Sequence, residues 1–297
     1  MSRHGSRSRH PITADSRTPQ ELREAAEQRI ARVLIGLGLG VMIVIQLVPF
    51  YITLTTALKH KTDLSSQWVP PTQGFAWDNF TAAIAQGHIL VAIGNSAIVT
   101  VVGTVLVCVL SALAAYPLAR RLSKANAAIS FGFIGLMMVP PLSILVPLYS
   151  MMASFHGLNT YWGIILVMVA GNIPISVFLY TAFIRSLPTS IEEVATVDGA
   201  RMWQVLLHIV VPMLKPVTAT VVILTSVNIW NEFALSGFFL TSPDRRTIAP
   251  AIASFFGGQS DLGAAAAASL LSVIPVLLVY LLLQKYFIKG MVAGAVK

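Results

Sequence analysis

"IEEVATVDGARMWQVLLHIVVPMLKP", residues 191–216, is the most charged stretch in the second half of a chain that otherwise consists of apolar runs. Ser190 and Glu193, three residues apart, have the spacing of a capping box, which predicts that a helix begins here. Asp198-Gly199 is a turn signal, because glycine accepts the left-handed backbone conformation that ends a helix. Apolar residues then resume helical spacing and lead to two prolines. The stretch therefore predicts two short helices joined by a turn.

The residues of this stretch leave two interpretations open. In one, the segment is an ordinary loop, in which Glu193 only caps a helix and Gly199 only makes a turn. In the other, its charges serve contact with a partner protein. The local pattern supports both equally, so the rest of the sequence has to decide between them.

The composition of the chain is that of an integral membrane protein. Of its 297 residues, 56% are hydrophobic and 11% are charged, and the mean hydropathy is +0.76. An average soluble domain carries about 25% charged residues, so water is a poor solvent for most of this chain. Cys108 is the only cysteine, which excludes a disulfide framework, and the six histidines are scattered, so we expect no metal site.

Six apolar stretches are long enough to cross a bilayer. A hydrocarbon core about 30 Å thick requires about 20 apolar residues per helix. The six stretches are residues 33–58, 91–119, 127–152, 161–184, 217–240 and 264–287. Prolines inside several of them predict kinks, which a membrane bundle accommodates because neighbouring helices satisfy the freed carbonyl groups. The sequence thus predicts an all-α integral membrane fold with six transmembrane helices.

The distribution of Lys and Arg predicts the orientation of these helices. With the N-terminus in the cytoplasm, sixteen basic residues lie on the inner side and four on the outer side, as the positive-inside rule requires. The outer four are Lys59, Lys61, Arg245 and Arg246. Both termini are then cytoplasmic, with residues 1–32 as an N-terminal tail, and the charged loop 188–212 is also cytoplasmic. Because the basic residues flank apolar segments and form no patch, we expect no nucleic-acid partner.

The charged loop carries a recognisable motif. "EVATVDGA", followed by "IVVPMLKP", resembles the EAA motif in the membrane subunits of binding-protein-dependent ABC importers, which reads E-A-A, then D-G or a lone Gly, then I-x-L-P. The matching residues are Glu193, Ala195, Asp198, Gly199, Ala200, Ile209 and Pro212. Val194 and Val211 depart from the motif, and both keep an apolar side chain.

The likeness extends over residues 30–297 and narrows the family. "NSAIVT", "ALAAYPLAR", "MMVPPLSILVPLYSMM", "WNEF" and the terminal "YFIKGMVAGAVK" are similar to segments of the sugar-importer permeases of the maltose type. The resemblance implies a non-catalytic subunit of an importer for a sugar or oligosaccharide in the bacterial plasma membrane. The implied partners are a second homologous permease, a dimer of ATP-binding cassette ATPases, an extracytoplasmic solute-binding protein and membrane lipid. The ATPase binds ATP and Mg, and this chain itself binds no cofactor.

The same resemblance assigns roles within the charged loop. The short helix of the EAA loop sits in a cleft of the ATPase, so that closure of the ATPase dimer moves the membrane helices. For Glu193 we expect a salt bridge or hydrogen bond to the ATPase, and for Gly199 a close backbone approach or a positive φ. Pro212 and Pro216 would hold the membrane end of the loop.

A polar cluster lies within the fifth apolar stretch. A carboxylate near the centre of a transmembrane helix costs about 2.5 to 3.5 kcal/mol, so Glu232 should face the bundle interior or water. Asn228, Trp230 and Asn231 lie close to it in the sequence. The cluster could contact a sugar on the translocation path, but we favour a hydrogen-bond network between helices or a contact near the outer gate. Asn95 and Asn172, in the second and fourth stretches, are best interpreted as helix-packing amides.

Two other classes of function are weaker alternatives. A proton-coupled secondary transporter needs ionisable relays inside the membrane, for which Glu232 alone is thin support. A membrane-embedded enzyme needs clustered histidines or paired carboxylates, which the apolar stretches lack.

Overall fold

The computed structural model describes residues 19–121, 123–257 and 261–295, and within them the regular secondary structure is helical. The first eighteen residues of the predicted tail lie outside this range. The longer helices are α1 Pro19–Ala57, α2 Asp78–Ala85, α3 Ile89–Arg120, α4 Lys124–Met137, α5 Leu145–Ser154 and α6 Tyr161–Ser186. They are followed by α7 Ser190–Val197, α8 Met202–Val205, α9 Val211–Met213, α10 Lys215–Trp230, α11 Ala234–Phe239, α12 Ile248–Ala253 and α13 Leu262–Ala295.

The chain divides into two compact units, residues 1–52 and 53–297. In the first unit the described residues belong to α1, and their apolar side chains, such as Leu34 and Val44, are exposed. A surface of this kind suits contact with lipid or with another apolar helix, because water would solvate it poorly.

The core of the second unit lies between α3, α6 and α10. Val107, Ile164, Tyr180 and Val221 are almost completely buried there. Small residues on α3 permit the close contact: a Cβ atom on Gly103 would lie 2.9 Å from the Cδ1 atom of Ile229. These three helices therefore form a packed centre from which the shorter elements extend.

A second cluster of buried residues joins the ends of α2, α3, α12 and α13. It contains Ala83, Ile89, Ala251 and a run of alanines at the start of α13. Nearby, the side-chain amide of Asn95 donates to the carbonyl oxygens of Asp244 and Arg246, at 2.9 and 2.8 Å. The loop before α12 is thereby attached to α3.

Two of the predicted helices are broken in the structure. The axes of the segments Lys124–Met137 and Pro141–Ser154 differ by 95°. Pro140 has φ of −62° and ψ of 129°, because the following proline disfavours helical geometry in the residue before it. The stretch 217–240 forms α10 and then α11, with a break at residues 231–233. The prolines in the third apolar stretch, residues 127–152, therefore break the helix into two segments, where the sequence predicted only a kink.

The number of membrane crossings depends on how the broken helices are counted. Among the described residues, three helices are long and apolar enough to span a membrane: Gln28–Ala57, Ile89–Arg120 and Tyr161–Ser186. The number rises to five if each of two bent helix pairs is one span: Lys124–Met137 with Pro141–Ser154, and Met202–Met213 with Lys215–Trp230, which meet at 71°. The first part of α13, Leu262–Leu278, is a shorter apolar helix. The count of six transmembrane helices stays a prediction.

Candidate functional site

The charged loop folds into a compact knob made of α7, a turn and α8. Gly199 has φ of 84°, the left-handed conformation that the Asp-Gly pair predicts. The N–H of Ala200 donates to the carbonyl of Ala195 at 2.9 Å, and the N–H of Gly199 donates to the carbonyl of Thr196 at 3.1 Å. Together these bonds form a Schellman motif, which closes the C-terminal end of α7. Ala195 and Ala200 are half-buried and pack against the core.

The start of α7 differs from the prediction. No side chain caps this helix, and the residue before Ser190 is Thr189, whose φ of −69° and ψ of −26° are already helical. Ser190 is thus already the first residue of the helix and not its cap, and the predicted capping box of Ser190 and Glu193 is wrong. A capping residue needs an extended backbone for its side chain to reach the third amide of the helix. One half of such a box occurs at α8 instead, where Oε1 of Gln204 accepts from the N–H of Arg201 at 2.7 Å.

The two consecutive glutamates of α7 have different surroundings. Glu193 is exposed, whereas the side chain of Glu192 is only 13% exposed and forms an ion pair of 2.6 Å with Arg120. Tyr116 also donates its hydroxyl to Glu192, at 2.9 Å. Successive helical residues point about 100° apart, which allows one glutamate to face the bundle and the other to face outward. The sequence analysis selected Glu193 and missed Glu192, Arg120 and Tyr116. The signal that could have found them is the arginine at the end of "ALAAYPLAR", a charged residue at the end of an apolar stretch.

The outer surface of the knob is apolar as well as charged. Val197 is 87% exposed, and Asp198 and Pro212 are also exposed. The other exposed large apolar side chains of this surface are Val194, Met202, Trp203 and Leu207. On the opposite side, Leu206 and Val210 are buried within a π-helical turn that leads to α9. The knob is thus amphipathic, with one face fixed to the bundle and one face free in this chain.

The four residues of the predicted polar cluster do not meet at one point. Trp230 is buried among the residues of the second apolar cluster, while Asn228 on α10 and Asn231 at its C-terminal cap are exposed. The carboxylate of Glu232 accepts the N–H groups of Leu235 at 2.7 Å and Ser236 at 2.6 Å. Glu232 therefore satisfies the first amides of α11, which would otherwise lack partners at the helix break.

Glu232→Gln is expected to destabilise the protein by about 1 to 2 kcal/mol, because the single amide oxygen of glutamine cannot accept both N–H groups as well as a carboxylate does. The thermal unfolding of the purified protein in detergent measures this effect. Asn231→Ala serves as the control, because in the described structure the Asn231 side-chain amide donates to the carbonyl of Val227, in the last turn of α10, and does not reach α11. Unchanged stability with altered uptake would show that Glu232 acts on the translocation path instead.

The part of the chain that the structure describes contains no group of three or more His, Cys, Asp or Glu side chains that could hold a metal ion.

The bundle of long apolar helices defines the class of protein: a multi-pass membrane protein. Residues 108–293 match the family described as "Binding-protein-dependent transport system inner membrane component". The chain belongs to this family, which confirms the resemblance found in the EAA motif.

Relatives within the family carry the names of sugar transporters. The melibiose/raffinose/stachyose import permease protein MelC of Bacillus subtilis (strain 168) is 42% identical over 252 residues, which cover 84% of this chain and 91% of MelC. The multiple sugar-binding transport system permease protein MsmG of Streptococcus mutans is 32% identical over 275 residues, which cover 89% and 95% of the two chains.

A solved structure shares the fold. A bacterial ABC transporter involved in the import of the acidic polysaccharide alginate superimposes with a TM-score of 0.72 at 19% identity. The match covers 94% of this chain and 100% of that chain.

Proposed function

We propose that this chain is the permease subunit of an ATP-driven ABC importer for a sugar or oligosaccharide. The observation that carries the proposal is the knob, in which the EAA residues close a short helix and leave an apolar and acidic surface exposed. The sugar class is supported by the names of MelC and MsmG. The alternative of a proton-coupled secondary transporter finds no support in the family of the chain.

The exposed face of the knob is the contact surface for the ATPase. Val197 and Trp203 supply apolar area, and Glu193 and Asp198 supply charges that can pair with basic or amide groups. An apolar surface of this extent on a cytoplasmic loop is typical of a protein interface. The partner ATPase binds ATP and Mg, and this chain transmits its closure without hydrolysing ATP.

The exposed face of α10 is the candidate for the translocation path. Leu224, Val227, Asn228 and Asn231 recur there at helical spacing and are exposed. Exposed amides in an apolar helix are costly in lipid, so this face should contact water or the second permease. Sugar hydroxyl groups pair well with amides, which suits Asn228 and Asn231 to contact a passing sugar.

The proposed orientation places both termini and the knob in the cytoplasm and the solute-binding protein on the outer side. The excess of basic residues in the inner segments supports this topology. A cysteine at Asp78 should react with an impermeant reagent added to intact cells, and a cysteine at Thr196 should not. Outside labelling at position 196 would overturn the topology.

The proposed function is tested by transport in proteoliposomes that contain this chain, the second permease and the ATPase. Uptake of labelled raffinose or maltose should require ATP on the ATPase side and the binding protein on the other side. Removal of either component should reduce uptake to the level of empty vesicles. Uptake by this chain alone, driven by a proton gradient, would contradict the proposal.

A further inference from the structure

We infer that Arg120, Tyr116 and Glu192 form a clasp that positions the coupling knob on the membrane bundle. The inference rests on the proposed function, because positioning of the knob matters only if the knob transmits movement. The clasp lies on the side of α7 that faces the bundle, away from the exposed surface that we assign to the ATPase.

The clasp joins the end of α3 to the junction between α6 and α7, which lies 67 to 72 residues further along the chain. Nε and Nη2 of Arg120, in the last turn of α3, donate to Oε1 of Glu192 at 2.8 and 2.6 Å. The hydroxyl of Tyr116, one turn earlier on α3, donates to Oε2 of Glu192 at 2.9 Å. Nη2 of Arg120 also reaches the carbonyl oxygen of Leu187, just after α6, at 3.2 Å. One guanidinium therefore ties the first turn of α7 to the ends of α3 and α6.

A reciprocal bond strengthens the junction between α3 and α6. Nη2 of Arg185, near the end of α6, donates to the carbonyl oxygen of Leu118 on α3 at 3.2 Å. The two helix ends thus exchange arginine-to-carbonyl hydrogen bonds, and each arginine satisfies a carbonyl that the helix end leaves free.

The surroundings make the ion pair sensitive to loss of either partner. The side chains of Arg120 and Glu192 are 14% and 13% exposed, so water screens their attraction poorly. Loss of one partner leaves the other charge poorly solvated and unpaired, which is more damaging than loss of an exposed ion pair. By contrast, Glu193 is exposed on the same helix and takes no part in these bonds.

Helix α7 depends on this clasp because, unlike α8, it has little buried area of its own. None of the eight residues of α7 is fully buried, and only Glu192 and Ala195 are half-buried. A push from the ATPase on such a helix would tilt it against the bundle unless a directional contact held it. The clasp provides that contact and delivers the movement to α3, which packs along α6 and α10.

The test measures how many ATP molecules are hydrolysed for each sugar taken up by the reconstituted complex. Glu192→Gln and Arg120→Ala should raise this ratio about tenfold while the ATPase stays bound, since the exposed face of the knob is unchanged. Tyr116→Phe, which removes one hydrogen bond, should raise the ratio less. The exchange of both charges, Arg120→Glu with Glu192→Arg, should restore part of the coupling that each single reversal removes.

Arg121→Ala is the matched control. Arg121 is the adjacent arginine and is exposed, and among the described residues its guanidinium makes a single weak contact, with the sulfur of Met202 at 3.8 Å. Its removal should leave the ratio of ATP to sugar unchanged.

The clasp and the proposed function fail in different ways. Wild-type coupling in both Glu192→Gln and Arg120→Ala would overturn the clasp and leave the importer assignment intact. If Arg120→Ala does not accumulate, normal coupling in Tyr116→Phe together with no recovery in the exchanged pair would also overturn it. If the wild-type complex shows no ATP-dependent uptake, the proposed function fails, and the clasp as a coupling element fails with it.

Discussion

Replacement of Gly199 by tryptophan is expected to lower sugar uptake by about tenfold or more and to release the ATPase from the purified complex. Gly199 has φ of 84°, and a Cβ atom at this position would meet no atom of this chain within 4 Å. A larger side chain therefore fits within this chain and extends outward, into the space that we assign to the ATPase. An effect larger than the backbone strain of about 1 to 2 kcal/mol must then come from the partner.

Gly74→Trp is the control for this experiment. Gly74, in the predicted outer loop, has φ of 89°, and a Cβ atom there would also meet nothing within 4 Å. Both substitutions bear the same conformational cost of about 1 to 2 kcal/mol for a left-handed residue that is not glycine. Only the variant at Gly199 should lose the ATPase in co-purification. Normal uptake and a bound ATPase in Gly199→Trp would show that the knob is not the coupling element.

The exposed glutamate gives an independent test of the same surface. Glu193→Lys reverses a charge that makes no contact with Arg120, so the chain should insert and fold normally. Repulsion from a basic group of the ATPase should weaken the complex, and compensating acidic substitutions should be recoverable in the ATPase. Glu193→Gln should have a smaller effect, because the amide can still accept a hydrogen bond.

Gly163→Ala is expected to destabilise the fold strongly, and far more than the same change at Gly171, the other glycine of α6. A Cβ atom on Gly163 would overlap the carbonyl oxygen of Gly157 and lie 2.8 Å from its carbonyl carbon. Backbone atoms cannot move aside as a flexible side chain can, so the start of α6 would have to shift. We expect a loss of about 3 kcal/mol in stability, seen as a sharp fall in the amount of folded protein extracted from membranes.

Gly171→Ala is the matched control on the same helix. A Cβ atom there would meet nothing within 4 Å, so extraction and thermal unfolding should stay at wild-type levels. Equal yields of the two variants would contradict the close backbone contact at Gly163.

Local sequence signals predicted the features that depend on neighbouring residues. The Asp-Gly pair predicted the left-handed turn after α7, because only the backbone preferences of two adjacent residues decide it. Apolar composition likewise predicted an all-helical membrane chain, since a bilayer requires every backbone group to be bonded within the helix. The EAA motif then indicated the family.

Contacts between residues that are distant in the sequence could not be predicted from local patterns. The sequence shows two adjacent glutamates, and only packing places Glu192 beside Arg120, 72 residues away. Similarly, Glu232 appeared to be a charge inside an apolar span, whereas the break after α10 makes it the acceptor for the first amides of α11. The sequence by itself determined that this chain is a helical membrane protein with a charged loop that carries the EAA motif. The tertiary structure alone decided which charges hold the loop and which face outward, because a buried charge takes its partner from whichever helix end folding brings within hydrogen-bonding distance.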